Sequence, residues 1–415
     1  MTFARTAPVV AVLLLAGLVP AGCGAAAPVP PRSAGQPPAT GPHPSDPAGR
    51  HLVGYLTGWG VYGRNYQVKH VESSGAAGRL THLVYAFGRN EGGRCALADP
   101  NADLHRLVSA ADSVDGVADG PDQQVRGTIN QLRKLKRLHP RLKILWSFGG
   151  WTGSGGFTAA ARDPRTFAAS CHALVEDPRW SDVFDGIDVD WEYPNACGLT
   201  CDTSGPQALT AVLTALRTRF GADSLVTAAV TADARKIEAT DYATAAAQLD
   251  WVMAMTYDYF GTDGRGGPTA AHSALVAYPG IPRDTATSAS TVRALIDRGI
   301  PAAKILLGLG FYGRGWTGVT SAEPGGTGTG PAPGSYQSGL EDYHVLAATC
   351  PPTGTIGGTA FAYCRGQWWS YDTPETITGK LAYAREQGLG GAFCWELSGD
   401  TPDGALIGAA AAALD

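Results

Sequence analysis

Asp185-Gly186-Ile187-Asp188-Val189-Asp190-Trp191-Glu192-Tyr193-Pro194 is the stretch from which the fold can be read. Acidic residues at 188, 190 and 192 alternate with Val189 and Trp191, and Val183-Phe184 precede them, so the run reads as the end of an extended strand. Successive strand side chains point to opposite faces, which places three carboxylates on one face, roughly 6 to 7 Å apart per two-residue step. Three acids stacked in a mostly apolar strand oppose one another's ionisation. Such a row is tolerated where protons are shared or donors surround it, as around a group that must hold a proton near neutral pH. The competing readings are a solvated acidic strand end and an oxygen-ligand site for a divalent cation. Pro194 forces extended geometry on Tyr193, where a loop must begin. Glu192 therefore stands at a strand tip.

Outward from this run, apolar stretches of strand length recur with helical segments between them, the pattern of parallel βα units. Strands are expected at about 51–57, 80–87, 142–148, 183–190, 225–231, 250–257, 304–311 and 390–395. Eight such units predict an α/β fold, a closed (β/α)8 TIM barrel, which keeps its chemistry at the C-terminal strand tips. Gln123 to Leu138 reads as a helix with Leu132, Leu135 and Leu138 on one stripe. A second helix runs from Pro374 to Gln387, capped by Thr373 and followed by Gly388. Residues 317–372 are too many for a simple loop and mix Gly/Pro turns with aromatic runs. They predict a small α+β insertion between strand 7 and helix 7, within a catalytic unit spanning 50–415.

The acidic signature Asp185-x-x-Asp188-x-Asp190-x-Glu192 resembles that of glycoside hydrolase family 18, the chitinases and their relatives. Ser147-Phe148-Gly149-Gly150-Trp151 is similar to the family's third-strand motif, and Met255-Thr256-Tyr257-Asp258 to its sixth. Gly310-Phe311-Tyr312-Gly313-Arg314-Gly315-Trp316 is similar to the seventh, and Gly390 to Glu396 to the eighth. These matches keep family order from Val53 to about Asp400, and resemble most the secreted bacterial type with an insertion after strand seven. The resemblance implies cleavage of β-1,4 bonds between N-acetylglucosamine units, with chitin or chito-oligosaccharides as partner and no cofactor or metal. It implies Glu192 as general acid and base. It also implies that the sugar's own 2-acetamido oxygen is the nucleophile, with Asp190 holding the acetamide N–H.

By the same match Asp188 would share a proton with Asp190, while Tyr55 and Ser147 hydrogen-bond the buried charge. Tyr257 would donate to the acetamide carbonyl, with Asp258 helping to hold that group. Trp395 would floor the cleavage subsite. Gly149, Gly150, Trp151, Tyr193, Met255, Tyr312 and Arg314 would line it and its neighbours. Alternatives on the same signature are an endo-β-N-acetylglucosaminidase acting on glycans and a non-catalytic chitin-binding lectin. Asp119-Gly120-Pro121-Asp122 departs from relatives that carry an aromatic residue there, which would weaken stacking at a leaving-group subsite.

A formal net charge of −5 gives no basic footprint, which argues against nucleic acid or an anionic membrane surface as partner. Arg5 followed by the 13-residue apolar run Ala7 to Val19 predicts an export signal over residues 1–27. Pro20-Ala21-Gly22-Cys23 is similar to a lipoprotein processing site, which would lipidate Cys23 and tether the chain to the outer face of the membrane. Cleavage near Ala27 and free secretion compete with it. Residues 24–49, rich in Pro, Ala, Gly and Ser, predict a disordered linker. Of the eight cysteines, Cys197 and Cys201 suit a local bridge, Cys350 and Cys364 flank a hairpin-like stretch, and Cys95 and Cys171 would then pair. Cys394 reads as a buried thiol, and the chain as a monomer.

Overall fold

The protein's architecture, taken from a computed structural model, is described for residues 50–262 and 266–414. The expected export signal, Cys23 and the 24–49 linker lie outside the described residues. Eight parallel strands close into a barrel: β1 His51–Thr57, β2 His82–Glu91, β3 Lys143–Gly149, β4 Gly186–Asp190, β5 Leu225–Val230, β6 Val252–Ala254, β7 Ile305–Gly310 and β8 Gly391–Trp395. Each pairs with its neighbours in sequence, and β8 returns to β1 with His51 opposite Gly391. The α/β class and the (β/α)8 TIM barrel read from the sequence are the observed fold.

Alternation along the strands sorts the core into two layers. Ile187 and Val189 of β4 point outward, packing with Ile144, Trp146 and the helix residues Leu132 and Leu135. Inside the barrel, Val53, Val84, Leu145, Met253, Leu306 and Phe393 form a second cluster. Asp188 and Asp190 share the inward side of β4. The register places Ser147 of β3 and Thr227 of β5 directly beside Asp188.

Three local expectations are corrected. The first helix spans Gly127–Leu138 rather than starting at Gln123, because Asp119 organises the segment before it. The buried Asp119 carboxylate accepts the Val108 and Gly127 N–H groups and the side-chain amides of Asn130 and Gln131. Leu138 is 50% exposed while Leu132 and Leu135 are fully buried. Two three-residue steps in a 3.6-residue helix carry a side chain well around from the stripe.

The third correction concerns the segment after β7. A second, antiparallel sheet begins at Tyr312, not at 317, because Tyr312–Thr317 leaves the barrel and pairs with Leu340–Asp342 and Gln367–Tyr371. Thr359–Cys364 and Gly354–Ile356 extend it. The sheet leads into the helix Pro374–Glu386, where the Thr373 hydroxyl accepts the Thr376 N–H. At that junction the fully buried Lys380 donates to Asp372, which also accepts from Ser273, Thr359 and Thr376. A buried ion pair is tolerated only with its remaining lone pairs satisfied, as here.

Cys95–Cys171, Cys197–Cys201 and Cys350–Cys364 are disulfide-bonded, and Cys394 is a buried free thiol. Among the described residues no helix is long and apolar enough to cross a membrane.

Candidate active site

The barrel mouth is built around the acid row of β4. Asp188 is completely buried and accepts three hydroxyl donors: Tyr55 of β1 at 2.9 Å, Ser147 of β3 at 2.7 Å and Thr227 of β5 at 2.7 Å. Burial pushes its carboxyl above the ordinary range, and the three hydroxyls pull against that rise. Asp190, one step closer to the mouth, makes no such set of contacts. Its Oδ1 is buried with no hydrogen-bond partner. Burial first, then the charges of Glu192 and Asp188, push it well above a normal carboxyl.

The strand ends at Asp190, so Glu192 stands just beyond it rather than at its last position. Its corner is fixed by Ser154, whose hydroxyl accepts the Glu192 N–H at 2.8 Å and donates to Gly150 O at 2.9 Å. Gly150 N–H in turn donates to Asp190 O at 2.8 Å. This close approach requires glycine: a Cβ on Gly149 would lie 2.0 Å from Asp190 O, and its φ is +121°. Burial lifts the Glu192 carboxyl to about 7, against a hydrogen bond from Tyr193 and the Lys236 charge, with Asp258 adding to the rise. Lys236 lies over the Tyr193 ring, 3.6 Å from its centre. Glu192 is therefore a carboxylic acid able to hold and release a proton near neutral pH.

Opposite the acids, Tyr257 packs edge-on to Phe393 and Tyr312, with centroids 6.0 and 6.1 Å away, and burial keeps its hydroxyl protonated. Met255 packs beside it against the inner-barrel cluster. Asp258 is gripped bidentately by Arg314, both contacts at 2.7 Å. Desolvation works against its charge, but Arg314 and His272 outweigh it and hold the carboxyl well below the usual range. Arg314 is thus tied to Asp258. Trp395 ends β8 with part of its surface open, 5.3 Å from Tyr55 and stacked on Phe87 at 5.7 Å. Trp151 is 50% exposed at the rim.

The structure brings together Tyr55, Ser147, Asp188, Asp190, Glu192, Tyr257 and Trp395. It adds residues that the sequence did not single out. Thr227 contacts Asp188 only through strand register, which no local pattern encodes. Ser154 sits in a Gly/Ser loop without a periodic signal. Trp59, 47% exposed, lies 6.4 Å from Trp395 and 5.9 Å from Phe87. Beside these rings a cavity of about 560 Å³ opens at the tips of β1 to β3, lined also by Tyr85, Asn90, Asp99, Asp103 and the Gly149–Gly156 loop. Pro121 is not among its lining residues.

A (β/α)8 barrel with an inward acid row, a tip carboxyl lifted by burial towards neutral pH and a half-buried tryptophan beside it is an architecture found among glycoside hydrolases. The chain belongs to the glycosyl hydrolases family 18, whose sequence profile matches residues 51–400. It is 58% identical over 356 residues to Chitinase C of Streptomyces lividans, covering 85% of this chain and 58% of that one. Chitinase 63 of Streptomyces plicatus is 56% identical over 372 residues, covering 89% of this chain and 61% of that one. The chain thus spans about three fifths of these relatives. Among solved structures, the catalytic domain of psychrophilic chitinase B from Arthrobacter TAD20 is 33% identical with a TM-score of 0.83, covering 88% of this chain and 95% of that one.

Proposed function

We propose that this protein is a chitinase that hydrolyses β-1,4 bonds between N-acetylglucosamine units by substrate-assisted, retaining catalysis. Two similar Streptomyces proteins bear the name chitinase. The observation that carries the reading is the pairing of two acids, one at the end of β4 and one just beyond it. Glu192 holds a proton to about 7, and Asp190 offers a buried acceptor atom with nothing bound to it. In the first step Glu192 gives its proton to the glycosidic oxygen. The acetamido carbonyl oxygen of the same sugar bonds to its anomeric carbon as the leaving group departs. Asp190 accepts the acetamide N–H and aims that oxygen, which gains from preset proximity. Tyr257 donates to the carbonyl side of the group, and Trp395 supports the apolar face of the ring. Water then attacks the anomeric carbon while the Glu192 carboxylate takes its proton, restoring both groups with retained configuration.

Arg314, Tyr312, Tyr193 and Trp151 line the flanking positions in this reading. Three disulfides favour an oxidising, extracytoplasmic location, reached through the segment 1–27 with or without lipid on Cys23. The test is the anomer and product profile released from a chitin hexamer, run alongside a thiazoline analogue of N-acetylglucosamine. Release of the β-anomer and inhibition by the thiazoline are expected. An α-anomer, or hydrolysis of a substrate lacking the acetamide, would overturn the mechanism.

A further inference from the structure

Past Ala254, the last residue of β6, the chain leaves the barrel ladder and its backbone N–H groups need other acceptors. Met255 still reaches Val230 O, while Thr256 and Tyr257 turn back to Ala254 O and Met255 O. The next N–H, that of Asp258, donates instead to a side chain: Nδ1 of the fully buried His272, at 3.4 Å. Asp258 has φ +59°, in the left-handed region, where a residue other than glycine stays only if its surroundings hold it. His272 is thus placed where the chain is strained, and the proposed chemistry does not use it.

The imidazole is built into its position. The His272 N–H donates to Ser370 Oγ in the second sheet at 3.0 Å, and its carbonyl accepts the Tyr259 N–H at 2.9 Å, one residue beyond Asp258. Its ring lies 5.2 Å from that of Tyr312, and a Cβ on Gly310 would come within 3.2 Å of Cε1, so glycine there leaves the ring its space. Asp258 Oδ1 stands 3.6 Å from Nδ1, beyond hydrogen-bond reach, which makes the backbone contact the one formed. A ring nitrogen that faces an N–H must offer its lone pair, so the neutral ring carries its proton on Nε2. Nε2 is buried with no partner in the protein. Phenylalanine would fill this space without stranding an N–H, so bulk alone does not account for a histidine.

We propose that His272 is a positioning residue for the cleavage reaction: Nδ1 of the neutral ring holds the peptide between Tyr257 and Asp258, and so aims both side chains at the acetamido group. The inference rests on the chitinase reading above, in which Tyr257 donates to the carbonyl of that group and Asp258 helps to hold it. Asp258 is then fixed from two sides, with Arg314 gripping its carboxylate and His272 its N–H. His272 itself is enclosed and touches no substrate; it acts through the peptide.

Two substitutions separate the ring nitrogens. His272→Asn keeps a carbonyl oxygen where Nδ1 stands, and His272→Gln keeps a polar atom only where Nε2 stands. For each full-length variant, kcat and KM are measured on a chitin hexamer, together with affinity for the thiazoline analogue. His272→Gln should lose about tenfold in kcat and in thiazoline affinity, the worth of one hydrogen bond, with KM within about twofold. His272→Asn should keep kcat to within about threefold of the parent. Equal kcat in the two variants, or a loss carried by KM alone, overturns the inference and leaves the hydrolase reading standing. The parent protein gives an answer that no misfolded variant can obscure. Ring-nitrogen NMR shifts of His272 at neutral pH should show Nε2 protonated and Nδ1 bare, and a proton on Nδ1 overturns the inference. A parent protein that does not cleave the hexamer overturns the hydrolase reading and this inference with it.

Discussion

Thr227→Val tests the electrostatic centre of the barrel, because it removes one hydroxyl donor to Asp188 while keeping the side chain's shape. The lost contact is 2.7 Å long, one of three to a carboxyl with no access to water. A hydrogen bond to a charged group contributes about 1.5 to 3 kcal/mol, and one to a neutral group about 0.5 to 1.5. The cost therefore depends on whether Asp188 is ionised, and so on pH. Its folded-state carboxyl lies above the ordinary value, so ionising it costs stability as pH rises through that raised value. The substitution raises it further, because the ionised form loses more than the neutral one. Destabilisation should be about 1 kcal/mol at low pH, where Asp188 is protonated, and grow towards about 2 as it ionises. With an unfolding entropy of about 2.1 cal/mol/K per residue over roughly 365 residues, Tm should fall by about 1.3 °C at the lower pH and about 2.6 °C at the higher. Scanning calorimetry of both proteins in matched buffers resolves the difference. Equal shifts at the two pH values would show that Asp188 does not change charge between them, and no shift at all would remove Thr227 as a donor.

Glu192→Gln should lower kcat by about 10² to 10⁴, the usual worth of a positioned proton donor, with oligomer binding still measurable. Turnover near normal would remove Glu192 from the mechanism. Because the acid form is the active one and its carboxyl is lifted to about 7, kcat/KM should fall as pH rises through about 7. A profile still flat at pH 9 contradicts that assignment. Ser154→Ala strands the Glu192 N–H, at a cost of roughly 1 to 3 kcal/mol, and should reduce kcat about tenfold. An unchanged kcat would mean that the corner holds without it.

The barrel was legible because buried parallel strands read as continuous apolar runs, and each expected strand overlaps an observed one. Asp188, Asp190 and Glu192 were legible for the opposite reason, as charges where apolar residues belong. Contacts that depend on register or on loop closure left no trace of comparable strength. Thr227 resembles any strand threonine until β5 is placed against β4. Ser154 and Asn90 lie in Gly-rich surroundings whose path is set by what they pack against. The start of the second sheet was misplaced because Tyr312-Gly-Arg-Gly-Trp316 follows β7 after a single residue, Phe311, and the change of partner is tertiary.

Cys394 sits in β8 immediately before Trp395, fully enclosed and in no disulfide, and burial pushes its thiol well above its free value. Its side chain lies in the layer between the barrel and the helices, so a thiol reagent cannot attack it until that layer opens. The rate at which such a reagent labels the native protein therefore reports how often the helices lift from β8. Since that cysteine adjoins the tryptophan on which a sugar would rest, the same clock should slow when an oligosaccharide is bound.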